Sequence, residues 1–447
     1  MGEHPADIVA RSKMSGMQIA VVAVCILLTA LDGFDVLSIS FAAPGIAQEW
    51  GIDRGALGIV LSMELIGMAF GSIVLGHVAD RIGRRPLILM CLAIMAVGMF
   101  LVTLAGGLTE LSIYRLITGL GIGGMLACTN AVAAEYSNAR RRSLSVTLMA
   151  AGYPLGAIVG GAVASRLLAQ FDWRSVFMLG AAATAAFLPI CLWILPESIE
   201  HLAQRRPADA LARINKTLGR MGHPAVTALP DIEQAGQGGG SGSRSILSPQ
   251  LRRTTILMTV AYFAHIMTFY FILKWIPKLV VDMGFPPPMA GSVLVWANVG
   301  GLMGALVLSM LTQRVSVRGL VIGALFLGFV LVAYFGRGQG SLAELSWVAA
   351  CAGFFTNAAV VGIYALLAHY YPTDVRAGGT GFVIGMGRGG AALGPIVAGY
   401  LFEVGQGLST VALIMASGSV IAAISLWMLR PDPTPAPALQ PAVNPQE

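Results

Sequence analysis

Charge is scarce in this chain. Only 11% of its 447 residues are Asp, Glu, Lys or Arg, where soluble proteins carry roughly 25%. At 56% hydrophobic, most of it is not built for water, and its apolar runs leave no room for a large soluble domain. Cysteine is scarce as well. Cys25, Cys91, Cys128, Cys191 and Cys351 all fall in apolar stretches, with no CxxC pair and no metal-ligand spacing. They read as small core residues; disulfides and metal are not expected. A GxxxxGK(S/T) loop, an HExxH pair and a serine nucleophile elbow are all missing, so we expect neither an enzyme nor a cofactor. Basic residues are scattered over loops rather than clustered, which gives no nucleic-acid signal.

What the chain has instead is long hydrophobic runs. Stretches of about 18 or more apolar residues read as membrane helices. Twelve are expected, at 18–40, 57–79, 86–106, 109–134, 143–168, 173–195, 254–281, 288–312, 317–336, 343–370, 376–402 and 408–429. The net charge of +6 reports topology rather than an acidic partner. With both termini and the even-to-odd loops on one side, that side holds 20 of the 28 Lys and Arg residues. The other side holds Arg54, Arg166, Arg174, Lys278 and Arg337, and Arg115, Lys274 and Arg388 lie within spans. The positive-inside rule then places both termini in the cytoplasm. Arg11 and Lys13 precede a first span too long for a signal-peptide core, so it reads as an uncleaved anchor.

The runs divide six and six. We expect an N-terminal half over 1–195, a central cytoplasmic loop over 196–253, a C-terminal half over 254–430 and a disordered Pro-rich tail over 431–447. The central loop opens Pro196-Glu197-Ser198, carries a short amphipathic helix between His201 and Gly219, and includes a flexible Gly/Ser linker at 236–243. The halves match weakly at an offset of about 233 residues: Asp32 falls on His265, Arg142 falls near Arg376, and the glycine face of the fifth span falls on that of the eleventh. Parallel halves with a site between them at the midplane suit alternating access. Gly119 and Gly123, Gly152, Gly156 and Gly160, and Gly381, Gly385 and Gly389 repeat every four residues, the spacing of close helix packing.

Between the second and third spans stands Gly76-His77-Val78-Ala79-Asp80-Arg81-Ile82-Gly83-Arg84-Arg85. Two glycines permit a tight bend and Asp80 offers a counter-charge to Arg81, Arg84 and Arg85. The spacing G-x-x-x-D-R-x-G-R-R resembles the corresponding loop of the major facilitator superfamily; read blandly, such a loop only sets topology. Glu135, near the cytoplasmic end of span four and close to Arg140 to Arg142, is a candidate gate ion pair. The second-half copy is degraded, with Gln313 in place of Asp.

Ionisable residues within the membrane are costly and usually mark a pathway. Asp32 and Asp35 are three residues apart in span one and share a helical face. Such a pair suits a site that binds and releases a proton; structural pairing with a cation is the alternative, and Arg115 is the expected partner. Arg388 lies about twelve residues into span eleven among Gly385, Gly387, Gly389, Gly390 and Gly394, with a fork that suits a carboxylate; a structural ion pair is the alternative. His265 is a substrate or proton site, or a hydrogen-bonded packing residue. Lys274 is expected to snorkel, and Glu64 has no clear role. Phe34, Tyr153, Tyr270, Trp296 and Tyr364 are candidates to line a cavity for a flat ring, or else packing and interface residues.

Asp32-Gly33-Phe34-Asp35, the GHVADRIGRR loop, Arg115-Leu-Ile-Thr-Gly119-Leu-Gly121, Pro196-Glu197-Ser198 and Tyr371-Pro372-Thr373…Arg376…Gly385-Met-Gly387-Arg388 together resemble the aromatic acid:proton symporters of the major facilitator superfamily, from about residue 18 to 430. The resemblance implies an all-α membrane protein, twelve transmembrane helices in two six-helix pseudo-repeats, that takes up an aromatic carboxylate with protons through the inner membrane. It places proton coupling on Asp32 and Asp35 and transport roles on Arg115 and Arg388. Arg388, Arg115, His265, Phe34, Tyr270 and Trp296 are thus the candidate substrate contacts, and Gly76, Asp80, Arg81, Gly83, Arg84, Arg85 and Glu135 the candidate gate. The expected partners are cargo, protons and lipid, with a monomeric chain. A drug or metabolite:proton antiporter and a sugar or organic-acid symporter of the same fold are the rival readings.

Overall fold

The computed structural model describes residues 5–229, 246–312, 314–338, 340–372 and 375–429, without the side chains of Asp80 and Ala377. Expectations for Gln313, Thr373, the 236–243 linker and the tail from 431 lie outside the described residues, as does any side-chain role of Asp80. The described residues form helices only: α1 Pro5–Arg11, α2 Gly16–Trp50, α3 Arg54–Ile82, α4 Arg84–Val102, α5 Leu108–Glu135, α6 Arg142–Leu167, α7 Arg174–Ile194, α8 Ile199–Arg205, α9 Ala210–Arg220, α10 Arg252–Asp282, α11 Pro287–Leu311, α12 Val317–Phe335, α13 Leu342–Tyr370, α14 Arg376–Glu403 and α15 Leu408–Trp427. Twelve of these, α2–α7 and α10–α15, are long and apolar enough to cross a bilayer. The chain is a multi-pass membrane protein.

Local chemistry sets the helix ends. Ser15 and Gln18 form a reciprocal capping box at the start of α2, and Gly51, with φ +59, ends it. Asp53 caps α3 by accepting the Ala56 N–H at 2.6 Å. The first span runs ten residues beyond the expected end at 40, because hydropathy marks the hydrocarbon layer and not where the helix stops; Ser38, Ser40 and Pro44 dilute the apolar signal without breaking the helix. The expected amphipathic helix over 201–219 is two helices, α8 and α9. Arg206 (φ +47) ends the first, and Pro207 keeps the preceding residue out of helical geometry.

The packing repeats. Helices α3 and α5 cross closely, as do α11 and α13; α2 meets α6 as α10 meets α14. A methyl on Gly67 would strike the Leu116 carbonyl, and one on Gly300 the Ala350 carbonyl. Gly156 lies against Ala30, and Gly390 against Phe263. These glycines are where bulk on either helix would force the backbones apart. On α14, Gly390 and Gly394 pack against α10 and Gly399 against α3, whereas Gly381 and Gly385 have open space beside them, contrary to the expected register.

The two six-helix groups meet through α3 with α14, α6 with α11 and α2 with α10. We call the face with Gly83, the 136–141 connection and the start of α14 the basic face. At the opposite face the groups are clamped together: Arg54 of α3 pairs with Asp282 of α10 at 2.9 Å and stacks over Phe402 of α14.

Candidate functional site

A cavity of about 800 Å³ lies between the two groups, lined by Ser72 and Ile73 of α3, Tyr364 of α13, and Arg376, Thr380 and Arg388 of α14 among others. Arg376 is the first residue of its helix, so the cavity reaches the basic face. The cavity thus opens toward the basic face, while Arg54 and Asp282 tie the groups at the other.

Arg388 marks the inner end of the cavity. It donates to the Met68 carbonyl at 2.7 Å, tying α14 to α3, and is part-buried. Tyrosines surround it. Tyr262 and Tyr364 share a hydrogen bond at 2.7 Å, and both, with Tyr270, lie within electrostatic reach of Arg388. Tyr270 also neighbours Tyr153, which in turn neighbours Asp32 and Glu64. Phenol rings beside a guanidinium offer stacking faces and hydroxyl donors to a flat anion.

Beyond the tyrosines is a buried cluster of charge. Arg115 and Glu64 form an ion pair with both side chains fully buried, and Lys274 approaches the same Glu64 oxygen at 3.5 Å. Lys274 also donates to the Val36 carbonyl, and Arg115 to the Asp35 carbonyl at 2.9 Å. Phe177 faces the Arg115 guanidinium at 5.4 Å. The carboxylates of Asp32 and Asp35 are buried without a hydrogen bond, Asp35 beside the equally unbonded Thr184 hydroxyl. Two expectations are corrected here. Arg115 pairs with Glu64 rather than with the aspartate side chains, because its fork reaches across to α3 while α2 offers it only a backbone oxygen. Lys274 does not snorkel, because acceptors within the bundle satisfy its ammonium.

Other candidates fall outside the cavity. His265 is fully buried, one ring nitrogen 3.0 Å from the Ser419 hydroxyl and the other 2.9 Å from the Thr356 carbonyl, which is the packing alternative. Phe34 fills the space beside Gly160 and Gly180. Trp296 stacks on Trp347 at 6.5 Å on the exposed surface of the bundle, as an interface anchor does.

At the basic face the expected loop is a one-residue joint. Helix α3 continues through Gly76 to Ile82, and the turn rests on Gly83 alone, at φ +102. A side chain there would also strike the Glu197 carboxylate, which accepts the backbone N–H groups of Arg84 at 2.9 Å and Arg85 at 3.4 Å. The Arg84 side chain pairs with Glu135 at 2.6 Å, so the Glu135 partner is Arg84 and not the 140–142 arginines. Arg85 donates to the Leu192 carbonyl at 2.7 Å, and Arg81 is exposed. Tyr136 donates to the Glu197 carbonyl at 2.7 Å, and burial pushes its hydroxyl well above the usual tyrosine range, so it stays a donor.

The model of the Major Facilitator Superfamily matches residues 25–291 and 258–445. The chain belongs to the major facilitator superfamily. Its relatives include a gallate transporter of Pseudomonas putida, 30% identical, and a 4-hydroxybenzoate transporter of Pseudomonas aeruginosa, 31% identical; these alignments cover 92% of this chain and 92% and 93% of those proteins. A benzoate transport protein of Acinetobacter baylyi is 28% identical over 88% of this chain and 85% of its own length. Among solved structures, a D-xylose-proton symporter superimposes with TM-score 0.71 at 18% identity, covering 93% of this chain and 98% of that one, and so shares the fold. The chain is a transporter, not an enzyme.

In this transporter, Tyr262, Glu64, Lys274 and Glu197 make buried or cross-helix contacts that their sequence neighbourhood does not reveal. An ionisable side chain inside an apolar run was the available signal for Glu64 and Lys274, and the Pro-Glu-Ser motif was the signal for Glu197.

Proposed function

We propose that this transporter takes up an aromatic carboxylate together with protons by alternating access across the cytoplasmic membrane. The observation that carries the reading is Arg388, a fixed cation lining a cavity together with Tyr364, with Tyr262 and Tyr270 close by and one guanidinium N–H held by a backbone carbonyl. A guanidinium so placed takes a carboxylate through paired hydrogen bonds. The relatives named for gallate, 4-hydroxybenzoate and benzoate support the same class of cargo.

The proton part rests on a charge count. Asp32, Asp35 and Glu64 face only Arg115 and Lys274 as cations in a cluster closed to water. One bound proton brings that cluster to neutrality, which burial favours. Moving a single negative charge into a cell that is negative inside costs about 2.3 kcal/mol per 100 mV, and a co-transported proton cancels it. We assign proton coupling to Asp32 and Asp35 and the basic-face gate to the Gly83–Arg85 joint with Glu135.

The remaining assignments follow the same reading. The halves are residues 1–195 and 254–430, joined by the 196–253 loop. The basic face, with both termini, is cytoplasmic by the positive-inside rule. The chain works as a monomer. A cation antiporter fits less well: among the described residues, both charged residues of the cavity lining, Arg376 and Arg388, are cationic.

Reconstitution tests this. Proteoliposomes given an inward proton gradient are expected to accumulate one or more labelled members of a panel of benzoates, hydroxybenzoates and phenylpropionates, and a protonophore to abolish accumulation. Uphill uptake that survives loss of both pH gradient and potential overturns symport; no uptake of any aromatic acid overturns the cargo.

A further inference from the structure

The salt bridge between Lys274 and Glu64 runs from one six-helix half to the other. Lys274, on α10, is the one member of the buried charge cluster that comes from the C-terminal half. Its acceptors, Val36 on α2 and Glu64 on α3, belong to the N-terminal half, as do Asp32, Asp35 and Arg115. All of these side chains are fully buried or nearly so. They lie on the side of the cavity away from the basic face, between Arg388 and the clamped surface.

We propose that Lys274 is an ionic latch that holds the two halves together on the face opposite the basic loops. It is a positioning residue: it sets the equilibrium between the closed and open forms of that face. The proposal rests on the alternating-access reading above. Parting the halves at that face must draw the ammonium away from both its acceptors. An unpaired ammonium inside the bundle is costly, so separation requires water to reach it or another carboxylate to take it, and the unbonded Asp32 and Asp35 stand on the wall it leaves. The closed form is thus held by a contact that is either made or lost, the behaviour of a two-position switch. Arg54 and Asp282 form a second tie nearer the surface, but that pair is partly exposed and hence weaker.

Ser62 supplies a reporter. It is fully buried, one turn from Gly58, whose backbone abuts Pro395 and Gly399 of α14 across the same seam. In a Cys351→Ser, Ser62→Cys background, labelling by a membrane-impermeant maleimide added at that face measures opening, with no cargo and no gradient present. Lys274→Met and Lys274→Gln are expected to speed labelling about tenfold or more. Lys274→Arg should label near the native rate. Rates are scored on protein that elutes as a single species from detergent. If neither neutral variant yields such protein, Glu64→Gln removes the acceptor and is expected to give the same acceleration. Unchanged labelling in the neutral variants overturns the latch, and so does Lys274→Arg labelling as fast as Lys274→Met. Because the readout needs no cargo, failure to transport aromatic acids would sink the functional reading and leave this result standing.

Discussion

Arg388 on α14 donates a guanidinium N–H to the Met68 carbonyl of α3, 2.7 Å across the seam between the halves. The bond fixes a flexible side chain at the wall of the cavity. On the proposed reading it also ties cargo recognition to the seam, since anything that pulls the fork away from Met68 loosens one of the contacts between α3 and α14. A carboxylate bound as proposed would compete for the same fork.

The first prediction follows from that geometry. A direct charge-assisted contact contributes roughly 1.5–3 kcal/mol, so Arg388→Ala is expected to weaken binding of the preferred aromatic acid about ten- to a hundred-fold. Arg388→Lys should recover only part, because an ammonium lacks the two-pronged contact. The amide analogue should lose affinity for the native protein and little more for Arg388→Ala. Calorimetry in detergent on the four combinations decides it; additive losses mean that Arg388 and the carboxylate do not meet.

Asp32 and Asp35 give the second. Both carboxylates are buried, Asp35 beside the Thr184 hydroxyl, and among the described residues no cation bonds to either. Asp32→Asn and Asp35→Asn are expected to abolish uphill accumulation while leaving cargo exchange across the membrane, because an amide keeps the shape and removes the titrating group. Counterflow and gradient-driven uptake, measured side by side, separate the two functions. Full uphill uptake in both variants would remove these residues from coupling.

How much of this was legible in the sequence depends on the range of each contact. The twelve spans could be read because a run of apolar residues reports the bilayer directly. Arg388 could be read because a charge among glycines in a membrane helix has few uses. Lys274 could not: its acceptor Val36 lies 238 residues away, and only the fold brings them together. Trp296 was misplaced because in a membrane bundle the lipid-facing and cavity-facing sides of a helix are both apolar, so periodicity does not tell them apart. Glu197 was passed over because its partners are backbone N–H groups at the start of α4, which no side-chain pattern records.

Gly83 yields a stability prediction. Its φ of +102 and ψ of 164 lie in a region that is essentially glycine's alone, and the Glu197 carboxylate occupies the space where a Cβ would point. Gly83→Ala is expected to cost on the order of 1–3 kcal/mol and to lower the melting temperature of the detergent-solubilised protein. Gly76→Ala, in mid-helix with open space around it, should be neutral or slightly stabilising. Equal melting temperatures for Gly83→Ala and the native protein would remove the strain argument.

The last prediction concerns the basic-face joint as a unit. Glu197 holds the first two N–H groups of α4, Arg84 pairs with Glu135 of α5, and Arg85 holds the Leu192 carbonyl at the end of α7. These contacts link three helix ends within one half and touch no lining residue of the cavity. Loosening them should therefore alter how that half moves rather than how cargo binds. Glu197→Gln keeps an acceptor oxygen but loses the charge at a helix N-terminus, a change worth about 0.5–1 kcal/mol. Arg84→Ala leaves Glu135 part-buried without its cation and should act more strongly. Both are expected to lower the turnover rate several-fold with a nearly unchanged dissociation constant, Arg84→Ala the more. The double variant Arg84→Ala, Glu135→Gln should recover part of the loss, since the orphaned charge is gone. Initial rates in proteoliposomes and equilibrium binding in detergent, taken on the same preparations, provide the comparison. Affinity falling in step with rate would place the joint in cargo binding, and unchanged rates in both single variants would leave the joint without a part in the transport cycle.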